Sequence, residues 1–391
     1  MYPHQTERLT QALEHDGLEA LVASTPANVF YVSGFRSLAR AVDPTTELFA
    51  VFTRRGIALV VPAIDAPAVA GESAAVDHVV SYGAFVYEVG DGRDERARRV
   101  GDWLRNRAAE PAEGLARALA ALGIRGGRVG LDAAGVGETT RRGLAGHVSS
   151  VSRVDATAAF ARARAVKGPW EIECLARGLA IAEEALNEVL QMLKPGVGER
   201  EAATLYEVEV AKRGAEPGAT VITMGERSAL PAAYPSARAL RPGDLVRFDV
   251  GCAFQGYRSA VARTAVMGEP KVLQETRHAA ILAGEQAAID AIRPGRAAGA
   301  VFEAAIGAVR EAGIPGYGRH HVGHGIGLDA VEPPWLVPGG DTTLEPGMVL
   351  GAETPYHEHG WGGLGIKDTV LVTASGARVL NRSERGLIVL D

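Results

Sequence analysis

The chain has 391 residues, enough for two or three domains of ordinary size and for a large core. Hydrophobic residues make up 47% and charged residues 23%, which is typical of globular proteins and excludes a disordered or fibrous chain. A net charge of -6 offers no basic field for phosphate backbones. We therefore expect a small-molecule substrate and no nucleic-acid partner.

The N-terminal segment is typical of an amphipathic helix over residues 5–16 and lacks the basic-then-apolar order of a signal peptide. No apolar run approaches the roughly 20 residues that a membrane-spanning helix needs. We predict a cytoplasmic protein that has no membrane partner.

The two cysteines, Cys174 and Cys252, lie far apart and form no CxxC pattern. We expect both to be reduced and to pack in the core, because a free cysteine behaves as a small hydrophobe. Alternatively, Cys252 points into a site, since it follows Asp249 by three residues.

The first part of the chain, residues 1–160, alternates helical patterns with short buried segments, which predicts an α/β domain. A strand is expected at LEALVAS (18–24), a turn at TPAN (25–28) and a long helix around 92–122. Further short buried segments are NVFYVSGF (28–35), LFAVFTRRG (48–56), IALVVPA (57–63), GGRVGLDA (126–133) and SRVDATA (152–158). No GxGxxG or P-loop follows any of them, so a nucleotide cofactor is not expected.

The second part, residues 161–391, begins near Gly168 and Pro169 and contains an internal echo. MLKPGVGEREAATLYEVEVAKRGAEPG (192–218) is similar to AIRPGRAAGAVFEAAIGAVREAGIPG (291–316), and RPGDLVRFDVG (241–251) is similar to EPGMVLGAETP (345–355). Two matched blocks in the same order favour a duplicated α–α–β unit over chance similarity of Pro-Gly turns. Packed about a pseudo-twofold axis, such units bring Asp249 and Glu353 into one central sheet.

Other site candidates surround this acidic pair. HHVGHGIGLDAVEPP (320–334) places three histidines within five positions among glycines, which let the backbone approach a ligand closely. PYHEHGWGGLGIKDTVLV (355–372) adds His357, His359, Trp361 and Lys367. Each residue alone is ambiguous, but their placement next to the duplicated strands indicates a concave site.

These strings resemble the pita-bread-fold peptidases, a family that includes prolidase, aminopeptidase P and methionine aminopeptidase, with creatinase as a relative. The resemblance is carried by KGPWEIECLARGLAI, LRPGDLVRFDVGCAFQGYRS, RTAVMGEP, HHVGHGIGL, LEPGMVLGAETP and GIKDTVLVTASG, and by NVFYVSGF in the N-terminal domain. It implies an α/β creatinase-like N-terminal domain over 1–160 and an α+β pita-bread domain over 161–391 with a pseudo-twofold internal duplication.

In the metal-dependent members, five ligands hold two metal ions. The matching positions here are Asp249, Ala260, His324, Glu353 and Lys367. The resemblance thus implies that both bridging carboxylates are missing, and an ammonium near a cation costs several kcal/mol. We expect no metal and no other cofactor, with Lys367 pairing Asp249 or Glu353. The alternative is that Lys367 points to solvent while Asp249 is protonated or bound to water.

Creatinase hydrolyses a C–N bond without metal, and the resemblance therefore implies a metal-independent hydrolase of a small amidine, guanidino compound or amide. His324 is the expected general acid and base, with Glu353, Asp249 and Lys367 as further catalytic groups. The expected substrate-binding residues are His321, Tyr257, Trp361 and Arg36. Arg36 reaches a neighbouring subunit if the protein is a homodimer like creatinase, and is otherwise a surface arginine.

Two further departures from the peptidase pattern are Ala232 and Val331, which stand where the peptidases carry histidines. Two alternatives to the metal-free hydrolase stay open. One is an Xaa-Pro dipeptidase-like enzyme that binds a single metal through Asp249, His324 and Glu353, with His357 or His359 recruited from the nearby loop. The other is a pseudoenzyme that binds a partner without catalysis.

Overall fold

The computed structural model describes residues 2–71, 74–88 and 94–391. The chain divides into two compact units, Met1–Arg164 and Ala165–Asp391. No helix in these three described ranges is both long enough and apolar enough to cross a membrane.

The first unit is built around a six-stranded mixed sheet with the spatial order β4-β3-β2-β1-β5-β6. Its strands are β1 (Ala20–Ala23), β2 (Phe49–Thr53), β3 (Gly56–Pro62), β4 (His78–Tyr82), β5 (Gly127–Leu131) and β6 (Val151–Asp155). The helices are α1 (Pro3–Asp16), α2 (Pro26–Ser33), α3 (Leu38–Val42), α4 (Ala66–Gly71), α5 (Glu95–Arg105), α6 (Pro111–Ala121), α7 (Glu138–His147) and α8 (Thr157–Ala165). Strands β1, β2 and β3 are buried over nearly their whole length, as strands covered by helices must be.

Two sequence-based expectations for this unit are wrong in detail. TPAN is not a turn before a buried strand, because Pro26 opens helix α2 at its first position, where the missing N–H costs nothing, and Gly34 ends it in the left-handed conformation. The single helix expected over 92–122 is two helices, and Pro111 starts the second one. Residues 92 and 93 of that expectation lie outside the described residues.

The second unit combines four helices with a ten-stranded sheet and a small hairpin. The helices are α9 (Pro169–Met192), α10 (Glu199–Lys212), α11 (Val272–Ala291) and α12 (Ala298–Glu311). The strands are β7 (Glu216–Met224), β8 (Leu245–Phe254), β9 (Tyr257–Arg258), β10 (Val261–Met267), β11 (Gly323–Gly325), β12 (Glu332–Trp335), β13 (Val349–Glu353), β14 (Tyr356–Glu358), β15 (Gly362–Leu364), β16 (Lys367–Thr373), β17 (Gly376–Val379) and β18 (Ile388–Leu390). Strands β14 and β15 form the separate hairpin.

The predicted duplication is confirmed by the order of the elements. Helices α9 and α10 precede β7, β8 and β10, and helices α11 and α12 precede β11, β13 and β16. The main sheet has the order β12-β11-β13-β16-β10-β8-β7, so the halves join where β10 pairs with β16. Each half buries its own helices in a separate apolar cluster, one against each half of the sheet.

The strand register aligns four residues in one row across this join. Asp249 on β8 is opposite Ala262 on β10, Ala262 is opposite Lys367 on β16, and Lys367 is opposite Glu353 on β13. Directly opposed residues point to the same face of a sheet. The row therefore places both acids of the duplicated strands and the lysine on one face.

The opposite face of β16 carries a buried charged network. Asp368 follows Lys367 and points the other way, and its Oδ1 accepts a hydrogen bond of 2.7 Å from Arg263 Nη2. Glu285 on α11 is fully buried beside this pair, and neither of its carboxyl oxygens has a hydrogen-bond partner among the described residues. Burial and the neighbouring Asp368 raise the pKa of Glu285 well above its usual range. Folding therefore favours the protonated, neutral form of Glu285.

We expect Glu285→Gln to gain stability relative to the wild type as the pH rises above the ordinary pKa of a glutamate. With a raised folded pKa, the folded state holds a proton that the unfolded state has lost, so the wild type loses stability with rising pH in this window. The glutamine has no such proton. Urea unfolding of both proteins at several pH values measures the difference, and parallel pH curves would contradict a protonated Glu285.

Candidate active site

The ammonium of Lys367 joins the two acids of the row. Its Nζ lies 3.1 Å from Asp249 Oδ1 and 2.9 Å from Glu353 Oε2. The side chains of Lys367 and Glu353 are each 10% exposed, and that of Asp249 is 31% exposed. Ala262 stands between Lys367 and Asp249 in the row, and its small side chain leaves room for the lysine to cross β10.

This arrangement fixes the charge states of the lysine and Glu353. Burial opposes ionisation of Glu353, but the adjacent Lys367 ammonium outweighs it and lowers the pKa of Glu353 to about 2. Burial also opposes ionisation of Lys367, and the two carboxylates outweigh it and raise the pKa of Lys367 above its usual value. The predicted ion pair is therefore present, and Lys367 contacts both acids instead of one of them.

His324 lies on β11, and the glycine before it lets β11 approach β13 closely. Gly323 has a φ of +152°, and a Cβ there would approach the carbonyl oxygen of Gly351 to 2.1 Å. A side chain at Gly323 would thus push β11 away from β13. Gly351 is the residue opposite His324, and a Cβ there would contact the imidazole at 3.7 Å.

The protonation of His324 follows from its contacts. Its Nδ1 lies 2.9 Å from the carbonyl oxygen of Gly325, which can only accept, so Nδ1 carries the proton and Nε2 the lone pair in the neutral ring. Burial lowers the pKa of His324, with a smaller contribution of the same sign from Lys367. At neutral pH the imidazole is therefore ready to accept a proton at Nε2.

A group of rings and cations extends the site beyond the row. The ring centroids of His321 and His324 are 5.9 Å apart, and Trp335 lies 6.3 Å from the first and 6.1 Å from the second. His321 Nδ1 lies 3.6 Å from Glu353 Oε1, and Arg319 Nη2 lies 3.7 Å from the same oxygen. The structure thus brings His321 to the site, as the sequence predicts.

Three residues of the site are not among the sequence predictions. Arg247 is almost fully buried, and its Nη1 lies 3.9 Å from Asp249 Oδ2. It precedes Asp249 by two residues, so strand alternation alone places it on the same face. Arg319 and Trp335 flank the histidine segment on either side, but no pattern in the sequence indicates which way their side chains point.

Two predicted substrate-binding residues have other partners. Tyr257 is 1% exposed, and its hydroxyl donates a 2.8 Å hydrogen bond to Glu171 Oε1, near the start of α9. The Trp361 ring lies under the guanidinium of Arg277 at 4.2 Å and beside Tyr356. Both therefore contribute to the packing of the second unit, and their assignment to substrate binding stays a prediction.

The other residues singled out in the sequence are the three that depart from the peptidase pattern, Arg36 and the two cysteines. Ala232 and Val331 are exposed, and Ala260 is partly exposed. Arg36 is exposed in the first unit, and its contact with a neighbouring subunit stays a prediction. Both cysteines are buried free thiols, and Cys252 Sγ lies 3.0 Å from the carbonyl oxygen of Gly178 in the helix layer, so it packs as a core residue.

Two family profiles match this chain. The profile of metallopeptidase family M24 matches residues 173–374, and that of the creatinase/prolidase N-terminal domain matches residues 5–166. The chain belongs to family M24. The predicted pita-bread fold with a creatinase-like N-terminal domain is thereby confirmed.

Several similar M24 proteins are dipeptidases by name. The Xaa-Pro dipeptidase of Pyrococcus furiosus is 35% identical over 227 residues, which are 58% of this chain and 65% of that protein. The probable dipeptidase PepE of Mycobacterium tuberculosis is 36% identical over 237 residues, 60% of this chain and 63% of that protein. The match therefore spans somewhat less than two thirds of each relative.

Solved M24 structures extend the likeness to the whole chain. Dipeptidase PepE from Mycobacterium ulcerans has a TM-score of 0.80 at 26% identity and covers 100% of this chain and 99% of its own. An Xaa-Pro dipeptidase from Bacillus anthracis has a TM-score of 0.82 at 23% identity and covers 99% of both chains. These likenesses establish the fold of both units.

The name of family M24 implies bound metal, and the residues of this chain do not fit a metal pair. Lys367 directs its ammonium between the two carboxylates that face each other across the join, and Ala260 contributes no ligand atom. Within residues 2–71, 74–88 and 94–391, no group of three or more His, Cys, Asp or Glu side chains is arranged to hold a metal ion. Two neighbouring divalent ions need shared anionic ligands to offset their repulsion.

Proposed function

We propose that the protein is a metal-independent hydrolase of a C–N bond in a small polar substrate such as an amide, amidine or guanidino compound. The contact of Lys367 Nζ with both Asp249 and Glu353 is the observation that supports it most directly. The ammonium takes the place of a cation between the paired acids. Membership of a peptidase family supports the hydrolytic reaction class.

In this proposal His324 is the general base and then the general acid. Its Nε2 accepts a proton from water, and the imidazolium returns a proton to the leaving nitrogen, which suits a buried imidazole with a lowered pKa. Glu353 and Asp249 stabilise the charged imidazole. Lys367 stabilises negative charge that develops on the attacked carbon's oxygen.

We expect His324→Ala to reduce kcat by about 10²- to 10⁴-fold, the usual contribution of a positioned acid–base residue. The assay is a mass-spectrometric screen of small amides, amidines and guanidino compounds with purified protein, followed by kinetics on the best substrate. His359→Ala is the matched control, because His359 is an exposed histidine on the neighbouring hairpin. Equal activity of the wild type and His324→Ala would refute the role of His324.

The similar proteins favour a second candidate function more strongly than the first. Those named above are dipeptidases, and two are Xaa-Pro dipeptidases. The second candidate is therefore an Xaa-Pro dipeptidase with one residual metal at Asp249, His324 and Glu353, which requires these side chains to leave the positions they have in this structure. Elemental analysis and Ala-Pro hydrolysis with and without a chelator separate the two candidates. Stoichiometric metal and chelator-sensitive cleavage of Ala-Pro would establish the dipeptidase and exclude the metal-free enzyme.

A further inference from the structure

The two halves of the duplication meet over a short stretch of β10 and β16. Among the described residues, these strands pair at one position, Ala262 with Lys367. Within the halves the ladders are longer, from Val261 to Val266 between β10 and β8 and from Lys367 to Leu371 between β16 and β13. The join cannot be longer, because β18 pairs with the end of β10 and β17 with the end of β16. The backbone link between the halves is therefore weaker than the ladder within each half.

Arg263 bridges this join from the face of the sheet opposite the site. It follows Ala262 on β10, so its side chain points away from the row of acids, and this side chain is 1% exposed. Its Nη1 donates to the carbonyl oxygens of Ala262 at 2.8 Å and Lys367 at 3.0 Å. Its Nη2 donates to Asp368 Oδ1 at 2.7 Å and to the carbonyl oxygen of Ser383 at 3.1 Å. One side chain of the first half thus binds two consecutive residues of the strand in the second half.

The segment that follows β17 fixes the guanidinium of Arg263 from behind. Ser383, which accepts from Arg263, donates its own N–H to Glu183 Oε1 on α9 at 2.9 Å. Two residues earlier, Asn381 Oδ1 accepts a hydrogen bond of 2.6 Å from the N–H of Thr369 on β16. The segment is thus attached to a helix of the first half and to a strand of the second. Arg263 therefore has partners that are held in place on both sides of the join.

The two contacts of the Lys367 ammonium depend differently on this join. Glu353 lies on β13, the neighbouring strand in the same half, and its Oε2 is 2.9 Å from Lys367 Nζ. Asp249 lies on β8 in the other half, and its Oδ1 is 3.1 Å from the same nitrogen. A displacement of the halves at the join would therefore keep the contact with Glu353 and break the contact with Asp249. Arg263 opposes this displacement, because it binds the backbone of Lys367 to β10.

We propose that Arg263 is a positioning residue, which holds β16 against β10 so that the Lys367 ammonium reaches Asp249 as well as Glu353. The planar guanidinium suits this task, because its fixed fork of donors binds several acceptors in one geometry. The inference rests on the hydrolase function proposed above, in which Lys367 stabilises developing negative charge. If Arg263 instead only stabilises the far face of the sheet, its loss lowers the stability of the protein and leaves the ammonium where it is.

NMR of the lysine side chains tests this role directly. The chain has five lysines, which are Lys167, Lys194, Lys212, Lys271 and Lys367. Labelling lysine with carbon-13 at the ε position gives one signal for each of them, and Lys367→Met identifies the signal of Lys367. Asp249→Asn shows where this signal lies, and how it titrates with pH, when the contact with Asp249 is lost. We expect Arg263→Gln to move the Lys367 signal most of the way from its wild-type position to its position in Asp249→Asn.

The direction of the titration separates position from charge. Arg263→Gln removes a cation and leaves the Asp368 carboxylate without its hydrogen-bonded arginine, and both changes alone would raise the pKa of Lys367. Burial opposes ionisation of Lys367, and the carboxylates of Asp249 and Glu353 outweigh it and raise its pKa. Loss of the contact with Asp249 therefore lowers this pKa. We expect the Lys367 signal of Arg263→Gln to titrate at a lower pH than that of the wild type.

Leu186→Ala is the control for a general loss of stability, because it truncates a buried side chain of α9 away from the join and should leave the Lys367 signal in place. If Arg263→Gln does not fold, Arg263→Lys serves instead, since it keeps the charge without the fork and should give a smaller displacement in the same direction. A Lys367 signal that keeps its wild-type position and titration in the folded Arg263 variant, or that moves equally in Leu186→Ala, would overturn the proposal.

The spectra need no turnover, so they separate this inference from the proposed function. A displaced Lys367 signal together with no hydrolysis in the substrate screen would count against the proposed enzyme alone. Hydrolysis together with an undisplaced signal would count against the positioning role of Arg263 alone.

Discussion

The double variant Ala260→Asp/Lys367→Glu is expected to bind two Mn²⁺ ions per chain and to gain cleavage of Xaa-Pro dipeptides. Restoring both carboxylates adds two shared anionic ligands and removes the ammonium that now lies between Asp249 and Glu353. We expect its apparent affinity for Mn²⁺ to exceed that of the wild type by more than about 100-fold, since losing even an outer-shell partner costs about 10- to 100-fold. Elemental analysis after dialysis and calorimetric titration with Mn²⁺ measure the change.

The single variants are the controls for this restoration. Ala260→Asp alone keeps the Lys367 ammonium in place and should gain little affinity for metal. Lys367→Glu alone restores one of the two bridging carboxylates, and its affinity for Mn²⁺ should lie between those of the wild type and the double variant. If the double variant folds correctly but stays free of metal, the positions of these residues no longer suit metal binding. Stoichiometric metal in the wild type would contradict the proposed role of the lysine.

Lys367→Met is expected to reduce the free energy of unfolding by about 3–5 kcal/mol, the usual result of removing one partner from a buried ion pair. Asp249 and Glu353 then lose the ammonium that both contact, and the side chain of Glu353 is only 10% exposed in the wild type. Because folded domains are stable by only about 5–15 kcal/mol, such a loss is easily detected. Urea unfolding of the wild type and the variant at neutral pH measures it.

Two further variants show whether the loss comes from unpaired charge. Lys367→Met/Glu353→Gln removes both partners and should recover much of the stability, since a buried pair is often replaced by neutral groups at little cost. Lys212→Met breaks an exposed pair with Glu209 on α10 and should cost less than about 1 kcal/mol. If Lys367→Met reduces the free energy of unfolding no more than Lys212→Met does, Lys367 does not neutralise the two acids.

The fold was more predictable than the details of the site. The spacing of the Pro-Gly turns placed Asp249 and Glu353 at equivalent points of a duplicated unit, and the register confirms that both lie in one row with Lys367. This succeeds because strand alternation and a repeated sequence fix which face a residue occupies. The position of the Lys367 ammonium between the two acids then follows from its charge, since a buried lysine needs acidic partners.

Side-chain directions that depend on tertiary contacts could not be predicted in the same way. Tyr257 is predicted to bind substrate, but its hydroxyl donates a hydrogen bond to Glu171, which is remote in sequence. Trp361 is held by Arg277 of α11 in the same way. Arg319 could not be predicted, because an arginine beside histidines has no distinctive pattern and only the structure places its guanidinium 3.7 Å from Glu353.

Because Lys367 crosses the small side chain of Ala262, the positive charge between the two acids comes from the chain itself and not from a metal ion. A charge that is part of the polypeptide arrives with translation and cannot be withdrawn by a chelator or exchanged for a competing ion. The side chain of Lys367 also links the two halves of the duplication, because it starts in one half and its ammonium contacts an acid of the other. Starvation for transition metals, which would silence a metal-loaded relative, should therefore leave this site assembled.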